Sequence, residues 1–183
     1  MRSRRLVDGN NGFSVDGSIR FLEETDEVDI LWFEEPFDEH QNGLERLRDW
    51  RRDHSSATLI ADGEYQPNLQ QVVRFAREGL IDVLLMDIAS LGLTRWRALA
   101  HELRSSGVRL SPHAWGVPLK TYYTAQMAVG LGNVITVEGV RGDTVGVDTS
   151  AYTVRSGCLI VGDQPGFGMP VPSLPSAPPQ SGP

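Results

Sequence analysis

Three carboxylates in this chain close short apolar segments, and the three together indicate a site for a hard metal ion. They are Asp8, Glu34 and Glu64. If the segments are parallel strands, their carboxyl ends meet at one edge of a sheet, and the three acids lie side by side. Packed carboxylates repel and raise one another's pKa unless a cation neutralises them. A ligand set made only of oxygens, without His or Cys, suits Mg²⁺, which keeps positions open for water or substrate.

Residues next to these acids leave the ligand set partly open. Asp62 precedes Glu64 by two positions and points to the same side of an ideal strand, so it competes with Glu64 as the third ligand. Glu34 and Glu35 cannot both face the site, because side chains alternate along a strand. Asn10 is close enough to Asp8 to orient it, although asparagine in such a Gly-rich stretch is also typical of a turn.

Three further residues close the next apolar segments and would supply acid and base chemistry. Asp87 and His113 are predicted on neighbouring strands, which lie roughly 5 Å apart, so Asp87 can accept a hydrogen bond from the imidazole and fix its tautomer. Glu138 would face His113 and donate a proton or hydrogen bond if it stays protonated, although a surface acid is an alternative interpretation. A metal beside such a base fits removal of the proton α to a carboxylate, through an enediolate that the metal stabilises.

Six short strands must position these residues, and segments with helical spacing separate them. The six ionisable residues follow one another at intervals of 23 to 30 positions, which suits one strand, one helix and two short loops. The helical spacing is clearest over residues 96–103, where Thr94 is the predicted N-cap and Gly107 the predicted residue after the C-cap.

The alternation of strands and helices implies parallel strands, in a doubly wound sheet or in a (β/α) barrel. Because six successive strands end in residues that could do chemistry, we favour the barrel, which gathers every strand end around one mouth. A complete barrel needs eight strands. We therefore predict an α/β fold, a partial TIM-type barrel of about six parallel βα units.

The composition predicts one soluble domain and excludes several classes of partner. The chain has 183 residues, 40% of them hydrophobic and 22% charged, and a net charge of −7, which argues against nucleic acid. No stretch has the roughly 20 apolar residues of a membrane span. A single cysteine, Cys158, and a start without an apolar signal segment fit the cytoplasm. The domain is predicted over residues 1–169, with a disordered Pro/Ser-rich tail over 170–183.

Six motifs, taken together, match a pattern found in one group of enzymes. They are Asp8-Gly-Asn10, Trp32-Phe-Glu-Glu-Pro36, Ile60-Ala-Asp-Gly-Glu64, Asp87-Ile-Ala-Ser-Leu-Gly-Leu-Thr94, Ser111-Pro-His113 and Val137-Glu138. In order and spacing they resemble the mandelate racemase-like branch of the enolase superfamily, from about residue 6 to residue 170. The resemblance implies Asp8, Glu34 and Glu64 as Mg²⁺ ligands, Asp87 and His113 as the catalytic dyad, and Glu138 as a hydrogen-bond donor to the substrate carboxylate.

The resemblance also implies that part of the enzyme is missing from this sequence. Members of the branch begin with an α+β capping domain and two barrel strands, the second of which ends in a Lys-containing motif that acts on the opposite face of the substrate. None of this is found here, so the chain looks like the C-terminal part of an enzyme, with the third to eighth barrel strands. The full-length form is expected to be a homo-oligomer.

Three readings of function follow from the resemblance. Dehydration of a sugar acid, an aldonate or aldarate, is favoured, because one His can remove the α proton and protonate the departing hydroxyl on the same face. A racemase or epimerase of a 2-hydroxy acid is the alternative, with its second base in the missing part. A catalytically incompetent fragment is the third, because a site without a cap does not exclude water.

Overall fold

A computed structural model of the chain describes residues 4–65, 68–140 and 142–170, and its centre is a sheet of five parallel strands. The strands are β1 (Arg5–Asp8), β2 (Ile30–Glu34), β3 (Leu59–Asp62), β4 (Val83–Leu84) and β5 (Arg109–Leu110). Their order in the sheet is their order in the chain. A doubly wound sheet reverses its order at a switch point, whereas a barrel does not. The predicted α/β fold, a partial (β/α) barrel, is therefore confirmed.

Helices occupy the connections between the strands, as the sequence spacing predicted. They are α1 (Val15–Glu24), α2 (Gln41–Asp53), α3 (Leu69–Arg77), α4 (Ile88–Leu91), α5 (Leu93–Leu103) and α6 (Pro118–Leu131). None of these helices is both long and apolar enough to cross a membrane.

The predicted ends of α5 are wrong. The helix begins at Leu93 instead of after Thr94, because Gly92, at φ 84°, joins the short α4 directly to α5. It ends at Leu103, and Gly107, at φ 77°, belongs to the turn that follows. The short helix α4, which begins five residues before α5, was not visible in the apolar spacing.

The sixth predicted strand, around residues 135–138, is reduced to a single parallel bridge between Leu110 and Val134. The count of about six strands is thus one too high for the described residues. The ladder stops early because β5 is only two residues long. Beyond the bridge, α6 holds the segment instead: the Thr121 hydroxyl donates to the Glu138 carbonyl at 3.0 Å and accepts from the Val140 N–H at 3.0 Å.

The last described part of the chain forms a hairpin that is separate from the main sheet. It pairs β6 (Thr153–Arg155) with β7 (Cys158–Ile160) in antiparallel register, where the sequence predicted irregular extended structure. Of the predicted disordered tail, residues 171–183 lie outside the described residues.

The side chains of the sheet divide into two buried layers. Phe33, Ile60, Leu84 and Leu110 pack with the buried faces of the helices. Trp32, Ala61, Val83 and Leu85 form a smaller cluster on the other face of the sheet. Strands covered on both faces explain why the sequence shows continuous apolar runs instead of alternation.

We expect Phe33→Ala to lower the free energy of unfolding by about 3–5 kcal/mol, the usual loss for a fully buried aromatic ring. The Phe33 side chain is 0% exposed, and its ring lies 4.8 Å from that of Phe21 and 5.4 Å from that of Phe13. Urea denaturation followed by circular dichroism measures the loss. Phe13→Ala is the matched control, because Phe13 belongs to the same aromatic group but is 38% exposed. Equal losses in the two variants would contradict this account of the core.

Candidate functional site

The carboxyl ends of the strands open into one cavity of about 840 Å³. Five of the six predicted site residues line it: Asp8, Glu34, Glu64, His113 and Glu138. Asp87 does not line the cavity, and its largely buried side chain lies behind His113, against the imidazole. The topology thus brings together residues that are up to 130 positions apart, from residue 8 to residue 138.

A larger cavity, of about 980 Å³, lies between α6, the segment that follows α6 and the β6–β7 hairpin. Its described lining is mostly apolar, and Asp143 is the one carboxylate in it. The ionisable groups that could do chemistry are therefore concentrated in the smaller cavity.

Asp8 and Glu34 end neighbouring strands and each has a local partner. The Asp8 carboxylate accepts hydrogen bonds from the Asn10 backbone N–H at 2.8 Å and from Asn10 Nδ2 at 2.7 Å. Asn10 therefore both forms the turn and orients the acid. Glu34 Oε2 accepts from Trp32 Nε1 at 2.9 Å, since residues two apart on a strand share a face.

The backbone conformation of Gly63 determines which of two nearby acids, Asp62 or Glu64, reaches the cavity. At φ 115°, it takes a conformation that other residues rarely adopt, and the chain turns between the two acids. Glu64 reaches the cavity, whereas Asp62 is 1% exposed, does not line the cavity and has an Oδ2 atom without a hydrogen-bond partner. Asp62 was an alternative to Glu64 because side chains two apart on an ideal strand share a face. That alternation does not hold across this bend.

The position of Glu35 shows which of the two adjacent acids, Glu34 or Glu35, faces the cavity. It is buried on the side away from the cavity, at φ 40°, and its Oε2 atom has no hydrogen-bond partner. Burial, together with the negative charges of Glu64 and Asp62, raises the pKa of Glu35 to about 9. Of the two consecutive acids, Glu34 alone faces the cavity.

The acids in the cavity carry charge that they do not neutralise among themselves. Burial, with the charges of Asp8 and Glu64 added to it, raises the pKa of Glu34 to about 8 against the lowering effect of the Trp32 hydrogen bond. Burial also raises the pKa of Glu64, against the attraction of His113. Oxygen donors with this excess of negative charge fit Mg²⁺ in kind. Across residues 4–65, 68–140 and 142–170, however, no three His, Cys, Asp or Glu side chains are arranged to hold an ion as they stand.

His113 lies between an orienting acid and the cavity. Its Nδ1 atom is 3.2 Å from Asp87 Oδ2. On the other side of the ring, Nε2 is 3.3 Å from Glu64 Oε2 and 4.0 Å from Glu138 Oε2. An imidazole that donates Nδ1–H to a carboxylate leaves Nε2 free to receive a proton from the cavity.

Glu138 reaches the cavity although its segment is not a strand. Its Oε2 atom accepts from the Ala114 backbone N–H at 2.5 Å, one residue after His113. The loop after β5 therefore connects the carboxylate to the imidazole.

Lys120 contacts the site, and the strand-end pattern missed it. Its Nζ atom lies 2.5 Å from Asp87 Oδ2, the same oxygen that faces His113. It escaped notice because it lies on a helix and not at a strand end. A signal did exist: of the 17 basic residues, Lys120 is the one lysine and the others are arginines.

Two exposed aromatic residues at the cavity were also not predicted. Trp115 is 71% exposed and Tyr65 is 61% exposed, and both line the cavity. The Tyr65 hydroxyl donates to Asn10 Oδ1 at 2.9 Å, which extends the group of side chains that holds Asp8.

Comparison with known proteins gives one family and a set of similar folds. The protein-family model described as "Enolase C-terminal domain-like" matches residues 2–173. Curated proteins give no match.

Among solved structures, galacturonate dehydratase from a Geobacillus species, complexed with D-galacturonate and 5-keto-4-deoxy-D-galacturonate, is 30% identical, with a TM-score of 0.85 over 90% of this chain and 44% of that one. A mandelate racemase/muconate lactonizing protein from a Geobacillus species, complexed with magnesium/tartrate, has the same identity and TM-score over 90% of this chain and 42% of that one.

A Pantoea ananatis enolase with bound D-gluconate and Mg is 22% identical, with a TM-score of 0.77 over 92% of this chain and 41% of that one, and at that identity it supports the fold alone. The chain spans less than half of the length of each of these three structures.

We expect the stability that Asp87 contributes to be lost only in strong acid. Burial would raise the pKa of Asp87, but hydrogen bonds from Lys120, Ser90 and Ala89 outweigh it and lower the pKa from 3.8 to about 2. A carboxylate whose pKa is lower in the folded state stabilises the fold above its unfolded pKa and loses that effect as the pH falls through its folded pKa.

The difference in melting temperature between the wild type and Asp87→Asn should therefore be constant from pH 7 to pH 5 and shrink between pH 3.8 and about 2. Scanning calorimetry at stepped pH measures it. A difference that already shrinks near pH 6 would show that Asp87 is not held as described.

Proposed function

The chain belongs to the enolase C-terminal domain-like family, and on that premise we propose that its cavity removes the proton α to a carboxylate group in a small hydroxy acid, with Mg²⁺. The observation that carries the proposal is the environment of His113. Its Nδ1 atom is directed at a carboxylate outside the cavity, and its Nε2 atom at the carboxylates inside. That is the arrangement of a general base with its orienting group beside a cation site.

Asp8, Glu34 and Glu64 would hold the metal ion. When bound, Mg²⁺ would neutralise their mutual repulsion and stabilise the negative charge that develops on the substrate carboxylate as the α proton leaves. Without it, four carboxylates in one cavity, counting Glu138, would repel an anionic substrate.

The side chains of the protein divide the remaining work. His113 Nε2 receives the proton, and Asp87 stabilises the imidazolium that results and keeps the ring from turning. Glu138, 4.0 Å from Nε2, donates a hydrogen bond to the substrate carboxylate when it is protonated. The exposed Trp115 and Tyr65 border the space in which the rest of the substrate would lie.

We infer that the overall reaction is dehydration of a sugar acid. The galacturonate dehydratase from a Geobacillus species supports this substrate class at 30% identity. Dehydration needs one group that first removes the α proton and then protonates the departing hydroxyl on the same face. His113 is the one histidine among the described residues that line the cavity, and it could serve both steps.

The cellular setting belongs to the same proposal. We propose that the enzyme works in the cytoplasm, in agreement with its single cysteine, and that its full-length form is a homo-oligomer. Its partner is a small acidic substrate. Because the chain is itself negatively charged, binding of this substrate would depend on the metal ion.

We expect Glu34→Gln to weaken Mg²⁺ binding at least about tenfold, or ~1.4 kcal/mol, because the variant loses one ligand charge and keeps the shape. Isothermal titration calorimetry measures it. Glu24→Gln is the control for charge alone, since Glu24 is an exposed acid at the end of α1. Equal affinity in Glu34→Gln and the wild type would reject the ligand assignment.

We expect His113→Asn to reduce α-proton exchange in D₂O by roughly 10²–10⁴-fold, the usual contribution of a general base. The assay follows deuterium incorporation by NMR for galacturonate, gluconate and tartrate. It uses this chain alone and also fused to the part of the Geobacillus dehydratase that it does not span.

His101→Asn is the control for the exchange assay, because His101 is exposed on α5. Exchange that survives His113→Asn in the fused protein would remove His113 as the base. Exchange of the α proton without loss of the β-hydroxyl would support a racemase or epimerase instead.

A further inference from the structure

The carboxylate of Asp87 has four close donors, which are unevenly divided between its two oxygens. Oδ1 accepts from the backbone N–H groups of Ala89 and Ser90, at 2.8 Å and 2.9 Å, because Asp87 is the N-cap of α4. Oδ2 is left for side chains, and two donors share it: Lys120 Nζ at 2.5 Å and His113 Nδ1 at 3.2 Å. The ammonium is therefore the closer partner of the oxygen that orients the base.

Lys120 reaches this oxygen from outside the cavity. It lies in the first turn of α6, and its side chain is only 18% exposed. Its Nζ atom is also 3.4 Å from the carbonyl of Trp115, so it connects the loop after β4 to the loop after β5. Because Lys120 does not line the cavity, it acts on the chemistry only through Asp87 and His113.

The choice of lysine at this position is informative, because arginine is used at all 16 other basic positions. A guanidinium is a planar fork that tends to take both oxygens of a carboxylate. Here Oδ1 is already filled, and Oδ2 must keep room for the imidazole. The ammonium of lysine is a compact point charge, which suits contact with one oxygen beside a second donor.

We propose that Lys120 is a positioning residue that shares Asp87 Oδ2 with His113, and by doing so keeps the hydrogen bond between Asp87 and the imidazole long and weak. An oxygen that is held by an ammonium has less charge to offer a second donor. The imidazole is still oriented, with its proton on Nδ1, but it is not bound as tightly as in an isolated Asp–His pair. Removal of Lys120 therefore strengthens this hydrogen bond instead of breaking it.

The inference rests on the proposed function for its biological meaning but not for its test. The hydrogen bond can be measured in the resting protein, without metal, substrate or turnover. An experiment that rejects His113 as the base would therefore leave the role of Lys120 to be judged separately, and the reverse also holds.

The experiment follows the Nδ1–H proton of His113 by NMR in the full chain, at one fixed pH that is the same for every variant. The chain has four histidines, and His113→Asn identifies the signal. A proton in a stronger hydrogen bond resonates further downfield. We expect Lys120→Met to move the signal downfield, and Lys120→Gln, which keeps a neutral donor, to move it in the same direction by less.

Arg97→Met is the control for the loss of a cation, because Arg97 is exposed on α5 and should leave the signal unchanged. An unchanged signal in Lys120→Met would overturn the proposal, since Lys120 would then be a bystander. A signal that moves upfield, or a ¹⁵N shift showing that Nδ1 has lost its proton, would also overturn it, because Lys120 would then only hold Asp87 in place. If Lys120→Met does not fold, Lys120→Gln decides by the same criteria.

Discussion

The structure depends on a conflict between burial and charge at the ends of the parallel strands. β2, β3 and β4 are apolar because they are covered on both faces, and an ionisable residue lies at or shortly after the end of each of the five strands, where the cavity begins. The fold thus concentrates negative charge where water is scarce, which raises the pKa of Glu34 to about 8. The rest of the site can be understood as ways of neutralising that charge: local hydrogen-bond donors for Asp8 and Glu34, an imidazole for Glu64, and a cation in the proposed function.

The two halves of the cavity handle this conflict differently. On the side of β1 to β3, the acids receive neutral donors from Asn10 and Trp32 and keep their repulsion. On the side of β4 and β5, Asp87 receives an ammonium, an imidazole and two backbone N–H groups, and its pKa falls to about 2. In the proposed function, the first side holds the cation and the second moves the proton, a division that follows from which donors each loop supplies.

Much of the fold and most of the site could be predicted from the sequence, because both depend on local patterns. Apolar runs that end in ionisable residues identified all five strands, the five residues that line the cavity and Asp87 behind His113. What could not be predicted depends on contacts between distant segments. Thr94 resembles an N-cap, but the preceding α4 moves the helix start. Asp62 shares a face with Glu64 on an ideal strand, but Gly63 bends the chain. Lys120 has no local signature at all, since its role depends on a carboxylate 33 positions away.

The lengths of the strands have a consequence for motion. β1, β2 and β3 have four or five residues each, whereas β4 and β5 have two. Cooperative opening of a native protein begins where few ladder hydrogen bonds must break. Asp87 and His113 do not depend on these short ladders alone, because a parallel bridge pairs them with each other and the Ile88 N–H donates to the His113 carbonyl at 2.9 Å. We therefore expect Asp87 and His113 to open to solvent together, as one cooperative unit, and not one after the other.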